Sequence, residues 1–222
     1  MSREGPGAGF IESETMNVAF GMKAHSGWAA LIVLGARGGG LEVVERSRMA
    51  LVEIGDAAWA KQPYHAAEHL SAGDARALVA RGLAAARCIA VQQMRAAVAR
   101  MCRSGHRVAA CGVLVVDPMP EWTVDEILAV HFRMHKAEGV LFRDALARAA
   151  WACGLELLGI PEKQLDEEAE RALATRLGGL RKTIASLGKS VGPPWGKDQK
   201  DAALAAMIAL KGRQGRQGRS GS

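Results

Sequence analysis

Aromatic residues are scarce in this chain: among 222 residues there are one Tyr, four Phe and five Trp. That supply is too small for a surface that stacks successive unpaired bases. The four cysteines, Cys88, Cys102, Cys111 and Cys153, form no C-x-x-C pair. Zinc ribbons and dithiol redox centres are thereby excluded, and the cysteines are expected as reduced core thiols. No apolar run reaches the roughly 20 residues of a membrane-spanning helix. Met1 to Glu14 lacks the basic and apolar regions of a secretory signal, so no membrane partner and a cytoplasmic location are expected. A G-x-S-x-G elbow is missing too. The Gly-rich segment Gly35 to Gly40 lacks the Gly-Lys-Ser/Thr ending of a P-loop and is expected to be a hairpin loop.

What is present is ordinary for a globular protein. Hydrophobic residues make up 49% of the chain and charged residues 23%. The length suits one domain with a proper core. The formal net charge of +6 permits nucleic acid or another polyanion as partner. Four of those charges sit in the stretch Lys211 to Ser220, which has no acidic residue. We divide the chain into a disordered segment 1–15, a single domain 16–211 and a basic flexible tail 212–222. A homodimer is compatible with this division.

Hydrophobic periodicity orders the elements. Met16 to Met22, Trp28 to Leu34 and Leu41 to Val52 are expected as three strands, the third with one wet face. Between the first two lies a polar turn offering Lys23, His25 and Ser26. Trp59 to His69 is expected to be irregular. Ser71, with Asp74 three residues on, starts a helix that runs to about Cys102. Val108 to Val116 is apolar throughout, as in a central strand covered on both faces. Thr123 and Glu126 form a capping box that opens a helix expected to continue through Ala152. Leu155 to Ile160 is a fifth strand. Pro161 to Leu187 forms one or two amphipathic helices, and Asp198 to Leu210 is the last helix. The expected fold class is α/β, a mixed sheet of about five strands with helices on both faces.

Three groups of residues carry candidate chemistry. His131, His135 and Glu138, spaced i, i+4 and i+7, share a helix face. Solvated histidines, an anion or substrate site, and a metal site all fit that spacing. His25 and Lys23 together favour an anion, and a histidine there can act as acid or base near neutral pH. Tyr64-His65 lies in a segment where a loop often carries ligand contacts.

Gly21 to Val33, Val113 to Asp117 and Asp198 to Leu210, in this element order, resemble the ribonuclease H-like superfamily, and within it the RuvC-type Holliday junction resolvases. The resemblance implies two magnesium ions held by carboxylates, with Asp117, Asp198 and Asp201 at matching positions. It also implies a first-strand aspartate, where this chain has Lys23. The function it implies is binding or processing of a phosphate-containing ligand, nucleic acid foremost. His25, His131, His135, Glu138 and Asp117 are the candidate catalytic residues. Lys23, Ser26 and His65 are the candidate ligand contacts. A noncatalytic binding module and a histidine-based hydrolase or phosphoryl-transfer enzyme are the alternatives, so catalysis itself stays open.

Overall fold

The computed structural model describes residues 15–53, 55 and 57–217. The expectation for residues 1–14 therefore lies outside the described residues. Strands β1 (Asn17–His25), β2 (Trp28–Arg37) and β3 (Gly40–Ala50) form an antiparallel meander. Helices α1 (Ala57–Lys61), α2 (Pro63–Ala67) and α3 (Ala72–Arg103) lead to β4 (Arg107–Val115). Next come α4 (Val124–Leu128), α5 (His131–Ala152) and β5 (Glu156–Pro161). A 3-10 turn at Glu162–Gln164 precedes α6 (Leu165–Leu173), α7 (Leu177–Val191) and α8 (Lys197–Gln217).

The sheet order is β3-β2-β1-β4-β5, with β4 parallel to both β1 and β5. Helical crossovers are what parallel neighbours require. The run ending at Val115 is central and buried, as its unbroken hydrophobicity predicts. This is the mixed five-stranded α/β arrangement expected from the sequence.

Side chains alternate across β1. Val18, Phe20 and Met22 join the core under α3 and α5, while Ala19 faces α8. Leu31 and Val33 of β2 extend the first core, and Ile32 and Leu34 pack with α6, α7 and α8. The abundance of alanine has its use here. Ala202, Ala203, Ala205 and Ala206 of α8 are fully buried. A Cβ on Gly21 would overlap the Ala202 carbonyl oxygen and come within 2.5 Å of the Ala206 nitrogen. Helix and sheet thus meet backbone to backbone.

Several sequence expectations are corrected. Lys23 and His25 are strand residues, and the turn is only Ser26-Gly27. The segment 59–69 is largely helical, with Pro63 opening α2, a position where a missing N–H is harmless. The capping box at Thr123 holds, but the helix stops at Leu128 because Val130 is extended, and α5 begins anew at His131. The last helix passes Leu210 and continues to Gln217, into the basic stretch. Of the cysteines, Cys111 alone is buried, whereas Cys88 and Cys102 are exposed. No helix among the described residues is long and apolar enough to cross a membrane.

Candidate functional site

Parallel strands β1, β4 and β5 bring their carboxyl ends to one edge of the sheet, where open α/β sheets hold ligands. Two clusters lie at that end. The first is built around Lys23. Strand alternation turns this side chain toward α8, and it is 5% exposed. Its Nζ donates to Asp201 Oδ2 at 2.7 Å and lies 3.1 Å from Glu162 Oε1 and 3.4 Å from Asp198 Oδ1. Burial works against the ammonium charge, but the hydrogen bonds and negative charge of Asp201 and Glu162 outweigh it. The ammonium is held above the ordinary lysine range.

Further cations complete the cluster. Arg143 of α5 donates to Glu162 Oε2 at 2.8 Å, and Lys197 donates to Asp201 at 2.6 Å. Burial alone would raise the Glu162 carboxyl. Its bonds to Arg143 and Lys23 prevail and hold it below the usual carboxylate range. His25 Nε2 lies 3.1 Å from Asp198 Oδ2 without hydrogen-bond alignment. The His25 ring stacks on Trp28 at 4.4 Å, and Arg48 covers Trp28 with its guanidinium 4.0 Å from the ring centre.

The magnesium ions implied by the family resemblance do not fit these residues. Hard dications need several oxygen ligands around one point. Here the ammonium of Lys23 takes that central place among Glu162, Asp198 and Asp201. With Arg143 and Lys197 it matches the three carboxylates charge for charge. Asp117 does not join them: it is exposed beyond the end of β4 and pairs with Lys163 at 3.0 Å. Glu162 and Arg143 were not found from the sequence. The one available signal for Glu162 was a carboxylate directly after the fifth strand.

The second cluster joins α2 to α5. Glu138 is buried, whereas His131 and His135 on the same helix are exposed. Glu138 Oε1 accepts the backbone N–H groups of Tyr64 at 2.8 Å and His65 at 3.3 Å. Burial pushes its carboxyl up to about 7, against the pull of those two bonds. His65 Nδ1 is 3.5 Å from Glu138 Oε1, too far for a good hydrogen bond. Both ring nitrogens of His65 and Oε2 of Glu138 are buried without a hydrogen-bond partner. His131 Nε2 and His135 Nε2 are 3.0 Å apart, and His65 is 4.7 Å from His135 between ring centres.

A cavity of about 290 Å³ lies between the clusters. His25 and Ser26 line one side, Gln62 another, and His135, Glu138 and Arg143 a third. The structure thus brings Lys23, His25, Asp198 and Asp201 into one group and His65, His131, His135 and Glu138 into another, with Ser26 between them.

No family model matches the chain, and no curated protein matches it. Among solved structures, it is similar to Thermus thermophilus RuvC in complex with a Holliday junction substrate. Identity is 12%, with 91% of this chain and 96% of that chain covered and a TM-score of 0.48. A second Thermus thermophilus RuvC structure is 13% identical, with 90% and 96% covered and a TM-score of 0.44.

Proposed function

We propose that this protein binds nucleic acid on a ribonuclease H-like fold and does not cleave phosphodiesters by a two-metal route. One observation carries the reading: the ammonium of Lys23 stands among Glu162, Asp198 and Asp201, with its nearest oxygens at 2.7–3.4 Å. Two-metal catalysis needs ions that clamp the attacking and leaving oxygens. A charge-balanced cluster has little affinity for them.

The surroundings favour a polyanion. Exposed Arg48 and Lys61 border the β1–β2 turn beside Trp28. Trp28 is covered by His25 on one face and Arg48 on the other, so phosphate contact rather than base stacking is the binding mode. Lys211, Arg213, Arg216 and Arg219 add sequence-local positive charge at the carboxyl end of the chain.

The test uses the full chain with junction and duplex DNA in magnesium. Binding is expected to weaken linearly on a log–log plot against salt. Deleting residues 212–222 removes three arginines and reduces that slope by roughly 2 to 3. No cleavage product is expected. Chelator-sensitive cleavage lost in Asp201→Asn would overturn the noncatalytic reading, and absence of salt-dependent binding would overturn the nucleic-acid reading.

A further inference from the structure

We infer that His65, His131 and His135 form a binding site for one imidazole-preferring divalent transition metal, zinc foremost, that pins α2 to the start of α5. The site is separate from the Lys23 cluster and independent of the nucleic-acid reading.

The geometry comes first. One donor atom from each of the three histidines can be chosen so that all lie within 4.8 Å of one another. A tetrahedral zinc ion with Zn–N of about 2.0–2.1 Å needs nitrogens about 3.3 Å apart. His131 and His135, one helical turn apart, already stand at 3.0 Å. His65 closes the remaining gap by a modest ring movement. Imidazole suits zinc, copper and nickel, and a donor set of three nitrogens without oxygen argues against calcium or magnesium.

The second line is hydrogen-bond satisfaction. Buried polar atoms nearly always have partners, yet both nitrogens of His65 lack one. A metal-bound histidine commonly gives its other ring N–H to a carboxylate, which fixes its orientation. Glu138 is placed for this role: it is anchored by two backbone N–H groups, with Oε1 3.5 Å from His65 Nδ1. That assignment leaves His65 Nε2 for the metal. Glu68, at the end of α2, stands 3.8 Å from His131 Nδ1 and repeats the pattern.

Charge is the third line. A cation beside the first turn of α5 opposes the helix dipole. The carboxylate of Glu68, 3.8 Å from His131 Nδ1, supplies negative charge that offsets it. His131 and His135 are exposed, so the site is reachable from solvent and leaves a fourth position for water.

The experiment titrates zinc sulfate into the chelator-treated full chain against a chromogenic competitor, with cobalt absorption as a reporter of tetrahedral nitrogen ligation. One zinc per chain is expected, with a raised thermal midpoint. His131→Gln and His135→Gln should each weaken binding at least tenfold while leaving the metal-free midpoint unchanged, since both residues are exposed. Glu138→Gln should weaken it about 10–100-fold. Substoichiometric zinc in the wild-type chain would overturn the proposal. So would stoichiometric zinc retained by both histidine variants, which would place the ion elsewhere. Because the exposed variants fold as the parent does, neither result is attributable to misfolding.

Discussion

The two clusters at the carboxyl end of the sheet differ in how completely they satisfy themselves. Around Lys23 each carboxylate has a cation within 3.4 Å, and the strand that carries the ammonium is itself part of the core. Around His65 buried nitrogens and a carboxylate oxygen have no partner. In the first, the carboxylates are closed by cations brought in on folding, and the unpartnered atoms are His25 Nε2 and Arg143 Nε at its margin. The second is held open by a buried Glu138 and by two histidines on the surface. Partners of a site are recognised by what it lacks, so the histidine cluster, not the carboxylate cluster, is where an ion is sought.

The largest effect that separates them concerns Lys23. Lys23→Met removes the central ammonium and leaves three carboxylates facing one another. Breaking a buried pair costs about 3–5 kcal/mol, and a loss of that size is expected in urea unfolding. His131→Ala is expected within about 0.5 kcal/mol of the parent in metal-free buffer. Equal losses in the two variants would erase the distinction drawn between the clusters.

A smaller effect probes the frame that holds the first cluster. Gly21→Ala places a methyl group against the backbone of α8 at Ala202 and Ala206. Overpacking of this kind costs about 1–3 kcal/mol. It also shifts Asp198 and Asp201 away from Lys23, so Gly21→Ala and Asp201→Asn should be non-additive in a double-mutant cycle. Simple additivity would mean that α8 yields without disturbing the cluster.

The mildest test is pH. Glu162, through its bonds to Arg143 and Lys23, and Glu45, through its paired bonds to Arg100, titrate in the folded chain below the ordinary glutamate range. Their contribution to stability is complete above the unfolded value and is lost as pH falls through the lower folded values. Lys23, raised above 10.5, contributes fully below that value and loses its contribution only at more alkaline pH. The denaturant midpoint should therefore decline on acidification below about pH 5, and less steeply in Glu162→Gln. Identical acid limbs for parent and variant would show that Glu162 is unshifted.

Much of the fold was legible because its signals are local. Ser71 with Asp74 and Thr123 with Glu126 cap helices in the structure as their spacing indicates. The run through Val113 is central because no face of it tolerates water. The break before His131 was not legible, since neither Ala129 nor Val130 is a helix-stopping residue, yet Val130 is extended. Half of the first cluster was also hidden. Lys23 meets Glu162 across more than a hundred residues of chain, and Arg143 joins through the same carboxylate; nothing in the spacing of charges reveals such a meeting. The histidine pair on α5 was visible through its i, i+4 spacing, whereas His65 entered only when α2 folded against that helix.

The contact between α8 and the sheet has a mechanical consequence. Where Gly21 meets Ala202 and Ala206 there is no cushion of long side chains to absorb a displacement. Interiors packed this densely compress little. The helix therefore behaves as a stiff beam clamped along its first half, and Asp198 and Asp201 are bolted to the same beam. Any accommodation at the sheet edge must come from hinges in individual side chains such as Glu162, because the scaffold beneath them has no slack to give.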